Sequence, residues 1–400
     1  MEILSQRIQK LSESETLAMT RRSRELQSQG HDVINLSIGE PDFNTPGYIK
    51  DAAKQAIDNN VTHYPPVAGF AELRKAISEK FKRDNNLDYA PEQIVVSTGG
   101  KQALANAILC LVNPGDEVIV PVPYWVSYRE LIKLAEGKAV YLPTTIGNNF
   151  KVTPAQLESA ITDRTKILIF SSPCNPSGSV YTRDELKGIA EVVARHENIF
   201  IISDEIYELI NFGGKHASIA GFDFIKERVV TVNGVSKGFA MTGWRLGYIG
   251  APKVIAAACD KIQGQFTSGT GTISQMAAIA AMKTNPESSV ELQTMRKAFH
   301  ERRDLLLKLL NDIPGFKTNI PQGAFYIFPD VSWYFRKTNG NFTINNAGDL
   351  CNFLLNNAHV ALVSGEAFGD PACIRFSYAT SNDRLIEAAA RIKKALAEFK

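Results

Sequence analysis

The chain predicts an α/β fold: an open, largely parallel sheet covered by helices on both faces, followed by a smaller α+β unit. Three observations carry this. Helical and strand patterns alternate from about residue 46 to 290, and the strands are short apolar runs. A long helical pattern near 287–312 then leads into a second set of strands and helices. The chain has 400 residues, 44% apolar and 22% charged, enough for two domains or one large one.

The elements follow in order. Leu4, Ile8 and Leu11 mark one face of a short amphipathic helix. Thr45-Pro46 reads as an N-cap with proline at the first helical position. The helix it opens carries Ile49, Ala52, Ala53, Ala56 and Ile57 on one face, and the next carries Leu73, Ala76, Ile77 and Phe81. Strands are expected at 94–97, 117–121, 166–171, 198–203, 228–232 and 246–250. Thr182 and Glu185 form a capping-box pattern at a helix start. Ala298, Phe299, Leu305, Leu306, Leu309 and Leu310 line the long helix. Strands near 323–329, 360–364 and 374–379, with helices near 346–357 and 382–398, make the smaller unit.

Composition narrows the function. A net charge of +2 gives no sign of a nucleic-acid partner. No apolar run approaches the roughly 18 residues of a membrane span, and the N-terminus lacks the apolar core of a signal peptide. Cys110, Cys174, Cys259, Cys351 and Cys373 are odd in number and contain no Cys-x-x-Cys pair. The six histidines are dispersed. Neither a disulfide framework nor a metal site is therefore expected, and a reducing, cytoplasmic compartment is the default.

The chemistry centres on Lys237. It lies just past the strand expected at 228–232, in a loop crowded with small residues, where α/β proteins place their sites. Most lysines are solvated surface residues. An amine in a dry pocket near cations instead has a lowered pKa and forms a Schiff base with a carbonyl. Eight residues on, Arg245 offers a planar fork for a phosphate. An amine for an aldehyde beside a guanidinium for a phosphate fits pyridoxal 5'-phosphate.

Other segments admit two readings each. Asp204 follows an apolar strand and stands three before Tyr207; an Asp there is also a common N-cap. Asn175 begins Asn175-Pro176-Ser177-Gly178, and Asn-Pro also initiates turns. Thr98-Gly99-Gly100-Lys101-Gln102 follows a strand and opens a helix, whose first N–H groups bind phosphate. Trp125 stands for a stacking ring or a core residue. Arg375, on a strand, is a carboxylate fork or a surface residue.

These motifs together resemble the class I aminotransferases of pyridoxal-phosphate fold type I, close to the bacterial aspartate aminotransferases of the "GGKQA" subgroup. Gly234, Ser236, Lys237, Gly243, Arg245 and Gly247 fit the attachment signature. The resemblance covers essentially the whole chain. It implies a large domain at 46–290 with a mostly parallel seven-stranded sheet, a small domain at 291–400, and an N-terminal segment, 1–45, joined to the small domain.

The resemblance also implies roles. Lys237, Asp204 and Tyr207 would be catalytic: Lys237 carries the cofactor, Asp204 faces its pyridine nitrogen and Tyr207 its phenolic oxygen. Asn175 would donate to that same oxygen. Gly99, Gly100, Lys101, Ser236 and Arg245 would surround the phosphate, and Trp125 would stack on the ring. Tyr64, in Tyr64-Pro65-Pro66-Val67-Ala68-Gly69, would reach the partner subunit's site in a homodimer. Arg375, Gly39, Trp125 and Asn175 would hold the amino acid, and Lys101, Ser14 and Thr16 its distal carboxylate. Three departures stand out: Gly234 replaces a usual serine, Thr267-Ser268-Gly269-Thr270-Gly271-Thr272 replaces a Ser-Asn-Pro loop, and Glu15 takes the place of a smaller residue. The expected activity is aspartate:2-oxoglutarate transamination by a ping-pong cycle. Its alternatives are an aspartate/glutamate-prephenate aminotransferase or an aromatic or alanine type. A lyase or acyltransferase of the same fold, or a sensor domain of a transcriptional regulator, fits the residues less completely.

Overall fold

The computed structural model describes residues 3–400. Its helices are α1 (Gln6–Gln9), α2 (Glu15–Ser28), α3 (Gly47–Asp58), α4 (Ala71–Lys80), α5 (Gly100–Leu111), α6 (Ser127–Leu134), α7 (Pro154–Ala160), α8 (Arg183–Ala194), α9 (Lys253–Phe266), α10 (Thr272–Lys283), α11 (Val290–Asn311), α12 (Ala347–Phe353) and α13 (Asn382–Leu396). The strands are β1 (Ile34–Asn35), β2 (Ile94–Ser97), β3 (Glu117–Pro121), β4 (Lys138–Leu142), β5 (Thr165–Ser171), β6 (Phe200–Asp204), β7 (Val229–Gly234), β8 (Gly247–Gly250), β9 (Tyr326–Ile327), β10 (Val360–Ala361), β11 (Val363–Ser364) and β12 (Ile374–Ser377).

The central sheet has seven strands in the order β2-β8-β7-β6-β5-β3-β4. β8 runs antiparallel to both neighbours and the other pairs are parallel. Its strands feed two cores by simple alternation. Val96, Ile119, Leu168, Ile201 and Val229 face one layer, while Val95, Val118, Ile167, Ile202 and Val230 face the other. Burial on both faces is why these strands read as continuous apolar runs. β4 breaks the rule: it is an edge strand, Lys138 and Tyr141 are exposed, and its mixed run hid it from the sequence pattern. β6 and β7 begin one or two residues later than expected.

A three-stranded antiparallel sheet, β11-β12-β9, forms the second unit. β1 pairs in parallel with β10, which brings the N-terminal segment onto it. Two local expectations need correction. Pro46, not Thr45, caps α3. The Thr45 hydroxyl is instead engaged in tertiary bonds, donating to Ala240 O (2.7 Å) and accepting from Trp244 Nε1 (3.0 Å). Among Leu4, Ile8 and Leu11, the first two are exposed and α1 is a single turn that buries none of its residues. The Thr182–Glu185 capping box is present as read.

Two glycines bring the elements of the site together. A Cβ on Gly247 would lie 2.3 Å from Gly100 N and 2.6 Å from Gly99 C, so a glycine in β8 lets the start of α5 press against the sheet. A Cβ on Gly234 would meet Gly247 Cα at 2.9 Å and Leu246 O at 3.0 Å, so a side chain here would press on the backbone of β8. Gly247→Ala should therefore destabilise the chain by about 1–3 kcal/mol, the cost of overpacking against backbone that cannot move aside. Chemical denaturation measures this. A change within about 0.5 kcal/mol, the range of an ordinary surface substitution, would refute the close approach.

Candidate active site

In register, Ser171 at the end of β5 lies beside Asp204 at the end of β6, and Asp204 pairs with Val232 near the end of β7. The segments that follow these carboxyl ends carry Asn175, Tyr207 and Lys237. Parallel strands thus deliver three distant stretches of chain to one edge. A cavity of about 290 Å³ opens there. Ser14, Thr16, Gly39, Gly100, Lys101, Trp125, Asn175, Asp204, Tyr207, Ser236, Lys237, Arg245 and Arg375 all line it. Gly99 lies just outside that wall as the N-cap of α5, with φ +84°, and the Arg245 guanidinium sits 2.5 Å from where its Cβ would be. Tyr64 is elsewhere, on the surface and 96% exposed.

Lys237 Nζ donates to Gly39 O at 2.5 Å. Burial brings its amine down to about 8; Glu40 opposes that shift, while the Arg375 and Arg245 charges reinforce it. Asp204 is buried, accepts from Tyr128 Oη on Oδ2 (2.8 Å) and from Ile206 N on Oδ1 (3.3 Å). Burial pushes its carboxyl up to about 6, and those two donors act against the rise. Lys237 and Asp204 are therefore displaced toward each other, the pattern of groups set up to hold and pass protons.

Arg375, on β12, is only 2% exposed. Nη1 donates to Asn175 Oδ1 (2.9 Å) and Nη2 to Ser37 O (2.6 Å), while the buried Nε has no partner among the described residues. A buried guanidinium with a free N–H, and no carboxylate beside it, is a ready site for an anion. Its face rests on Tyr326, 4.6 Å from the ring centre, and the Tyr326 and Tyr207 hydroxyls meet at 2.8 Å. Asn175 keeps its amide hydrogens available because its oxygen serves Arg375.

Lys101 stands at the mouth, with Nζ 5.2 Å from the centre of the Trp125 ring. Partial desolvation, then the Arg245 charge, lower its amine. Ser14 and Thr16 reach the cavity from the N-terminal segment together with Leu17. Glu15 between them does not line it; the charges around Glu15 are those of Arg129 and Glu366.

Tyr128, Tyr326 and Ser37 were not singled out from sequence. Tyr128 had a usable signal, being three residues after Trp125, and the two rings pack edge-on at 5.6 Å between centres. Tyr326 and Ser37 had none, since each acts through a neighbour remote in the chain.

Comparison with known proteins agrees with this geometry. The sequence model of the family "Aminotransferase class I and II" matches residues 31–392. A bifunctional aspartate aminotransferase and glutamate/aspartate-prephenate aminotransferase of Petunia hybrida is 50% identical, over 99% of this chain and 83% of the relative. The crystal structure of an aspartate aminotransferase from Rhizobium meliloti superposes with a TM-score of 0.96 at 40% identity, covering 100% of each chain. An aspartate aminotransferase from Thermus thermophilus with maleate gives 0.93 at 40% identity, over 99% of this chain and 100% of that one. Family match, near-full-length likeness and the lysine-centred cavity agree: the chain belongs to the class I and II aminotransferases.

Proposed function

We propose that this chain is a pyridoxal-phosphate-dependent aminotransferase acting on aspartate, with 2-oxoglutarate as acceptor. The observation that carries the reading is one cavity holding a depressed lysine, a buried carboxylate and two arginines, one of them with an unpaired buried N–H. The residues fit the cofactor. The cradle between Gly99 and Arg245 is one a Cβ would fill, and it opens at the first turn of α5, where a phosphate is favoured. Gly100, Ser236 and Arg245 would hold the phosphate, Trp125 the ring face, Tyr207 and Asn175 its phenolic oxygen, Asp204 its nitrogen and Lys237 its aldehyde carbon. Bound there, the cofactor supplies an aldehyde for the amino group and a ring that takes up electron density.

The chain's own groups do the rest. Arg375 takes the substrate α-carboxylate, and its ties to Asn175 and Ser37 fix the fork in one plane. Lys237 Nζ, with its amine near 8, is in the range of an effective proton acceptor and takes the proton leaving the substrate Cα. Asp204, held in place by Tyr128, would keep the ring nitrogen of the bound cofactor protonated. Ser14, Thr16 and Leu17 line the cavity from the N-terminal segment, and closure of that segment over a bound substrate would reduce access of water. The oxo acid leaves, and the acceptor retraces the same path in a ping-pong cycle.

Lys101, with Ser14 and Thr16, is the group for a distal carboxylate. That favours aspartate and glutamate; prephenate, also an acid, is the second donor–acceptor class to test. A homodimer completes the reading. Tyr64 is exposed, the 267–272 loop packs on Pro65 and Pro66, and Ile57 and Phe266 are exposed nearby in sequence. The chain would divide at about 46 and 290 into large and small domains, with β1 tying the N-terminal segment to the latter.

The test is Lys101→Ala. A charge-assisted contact is worth roughly 1.5–3 kcal/mol, or about 10- to 100-fold in kcat/KM. Aspartate and glutamate should lose that factor, alanine and phenylalanine almost nothing, and cofactor affinity should hold, because the α5 N–H groups are backbone. Equal losses for all four amino acids, with weaker cofactor binding, would place Lys101 in the phosphate loop alone and remove the case for an acidic substrate.

A further inference from the structure

α5 and α9 lie together on one face of the large sheet, and side chains cross between them in a regular ladder. Gln102 Nε2 donates to Thr267 Oγ1 at 2.7 Å. Asn106 Nδ2 donates to Gln263 Oε1 at 3.0 Å. Four residues up one helix correspond to four residues down the other, so the helices are antiparallel and each rung is one turn from the last. The same register sets Cys110 of α5 opposite Cys259 of α9. The pair is flanked by Ala107 and Ala256, both buried, whose small side chains let the two backbones come close. The two thiols interact: Cys259 lowers the Cys110 thiol below its ordinary value, while Cys110 and burial raise that of Cys259. Cys174, Cys351 and Cys373 are all raised, with burial the largest cause. Cys110 is also the one cysteine of the five that is not fully buried.

We propose that Cys110 and Cys259 are a reversible dithiol–disulfide pair, a redox-modification site that staples α5 to α9. The oxidant is a small-molecule disulfide. The Cys110 thiolate attacks one of its sulfurs, breaks that S–S bond and expels one small thiolate, leaving a mixed disulfide. Cys259 gives up its proton, attacks the Cys110 sulfur and expels the second small thiolate. The protein pair loses two electrons and two protons, and the small disulfide gains them as two thiols. The roles follow from exposure: the half-buried, lowered thiol meets the reagent, and the buried one resolves the adduct. A cytosolic disulfide of this kind is characteristically transient and redox-sensing. The inference does not depend on the substrate, but the staple sits on α5, whose first turn lines the active-site cavity.

The experiment treats the native holoenzyme with oxidised glutathione, alkylates the free thiols and maps peptides without reduction. The expected result is a Cys110–Cys259 cross-linked peptide pair, loss of two of the five thiols, no retained glutathione, and recovery of both thiols with dithiothreitol. Cys110→Ser should leave the remaining thiols unreacted. Cys259→Ala should stop at a glutathione adduct on Cys110. The wild-type map decides the matter even if a variant folds poorly. A stable glutathione adduct on Cys110 of the wild-type chain, or survival of all five thiols, overturns the proposal.

Discussion

Lys237→Ala should abolish turnover with every amino donor, a loss of more than about 10³-fold, while the chain still folds and still binds the cofactor. A positioned proton acceptor alone contributes roughly 10²–10⁴-fold, and in the proposed role the same amine would also carry the covalent attachment. Cofactor binding should persist because Arg245, the start of α5 and Trp125 line the cavity independently of the Lys237 side chain. The visible absorbance that a lysine-linked pyridoxal gives the resting enzyme should disappear, and added cofactor should stay bound without it. The local fold should be spared, since the Lys237 amine makes one bond, to Gly39 O. Absorbance and kcat are read on the same preparation. If both survive, another lysine holds the cofactor and the role given to Lys237 is wrong.

Asp204→Asn carries the second largest effect. The carboxylate is buried, its carboxyl is pushed up to about 6, and Tyr128 and Ile206 supply its two hydrogen bonds. Such a group is costly to bury without a cationic partner. A protonated ring nitrogen is the partner that would offset the cost. The amide keeps the shape and loses the charge, so kcat should fall by at least about 10²-fold, on the scale of losing one preorganised electrostatic group. Cofactor affinity should fall as well. The thermal midpoint of the cofactor-free chain should not drop, because a buried charge is being replaced by a neutral isostere. A kcat within about twofold of the parent would show that Asp204 only terminates β6.

Much of this site was visible in the chain because each motif is local. Lys237 and Arg245 share one loop, Asp204 and Tyr207 one strand end, Gly99 and Gly100 one helix start, and each is marked by a strand feeding a turn. The less legible parts are those in which a residue's role belongs to its neighbour. Thr45 looked like a cap and is a tertiary hydrogen-bond bridge. Gly234 looked like a departure and is a steric necessity against Gly247. Glu15 stood where a smaller residue is usual, and it does not line the cavity.

Local patterning and motif spacing thus determined the α/β class and most of the sheet and pointed to the residues that line the lysine-centred cavity, because hydrophobic period and turn residues act within a few positions of each other. The tertiary structure decided what depends on distant segments converging. It set the edge strand β4, the tyrosines Tyr128 and Tyr326 that steady Asp204 and Arg375, and the free N–H of Arg375. It also aligned Cys110 with Cys259, which spacing alone had left as two unrelated thiols. Packing between remote elements is fixed by burial of whole faces and by close approach at small residues, and neither leaves a local signature in the chain.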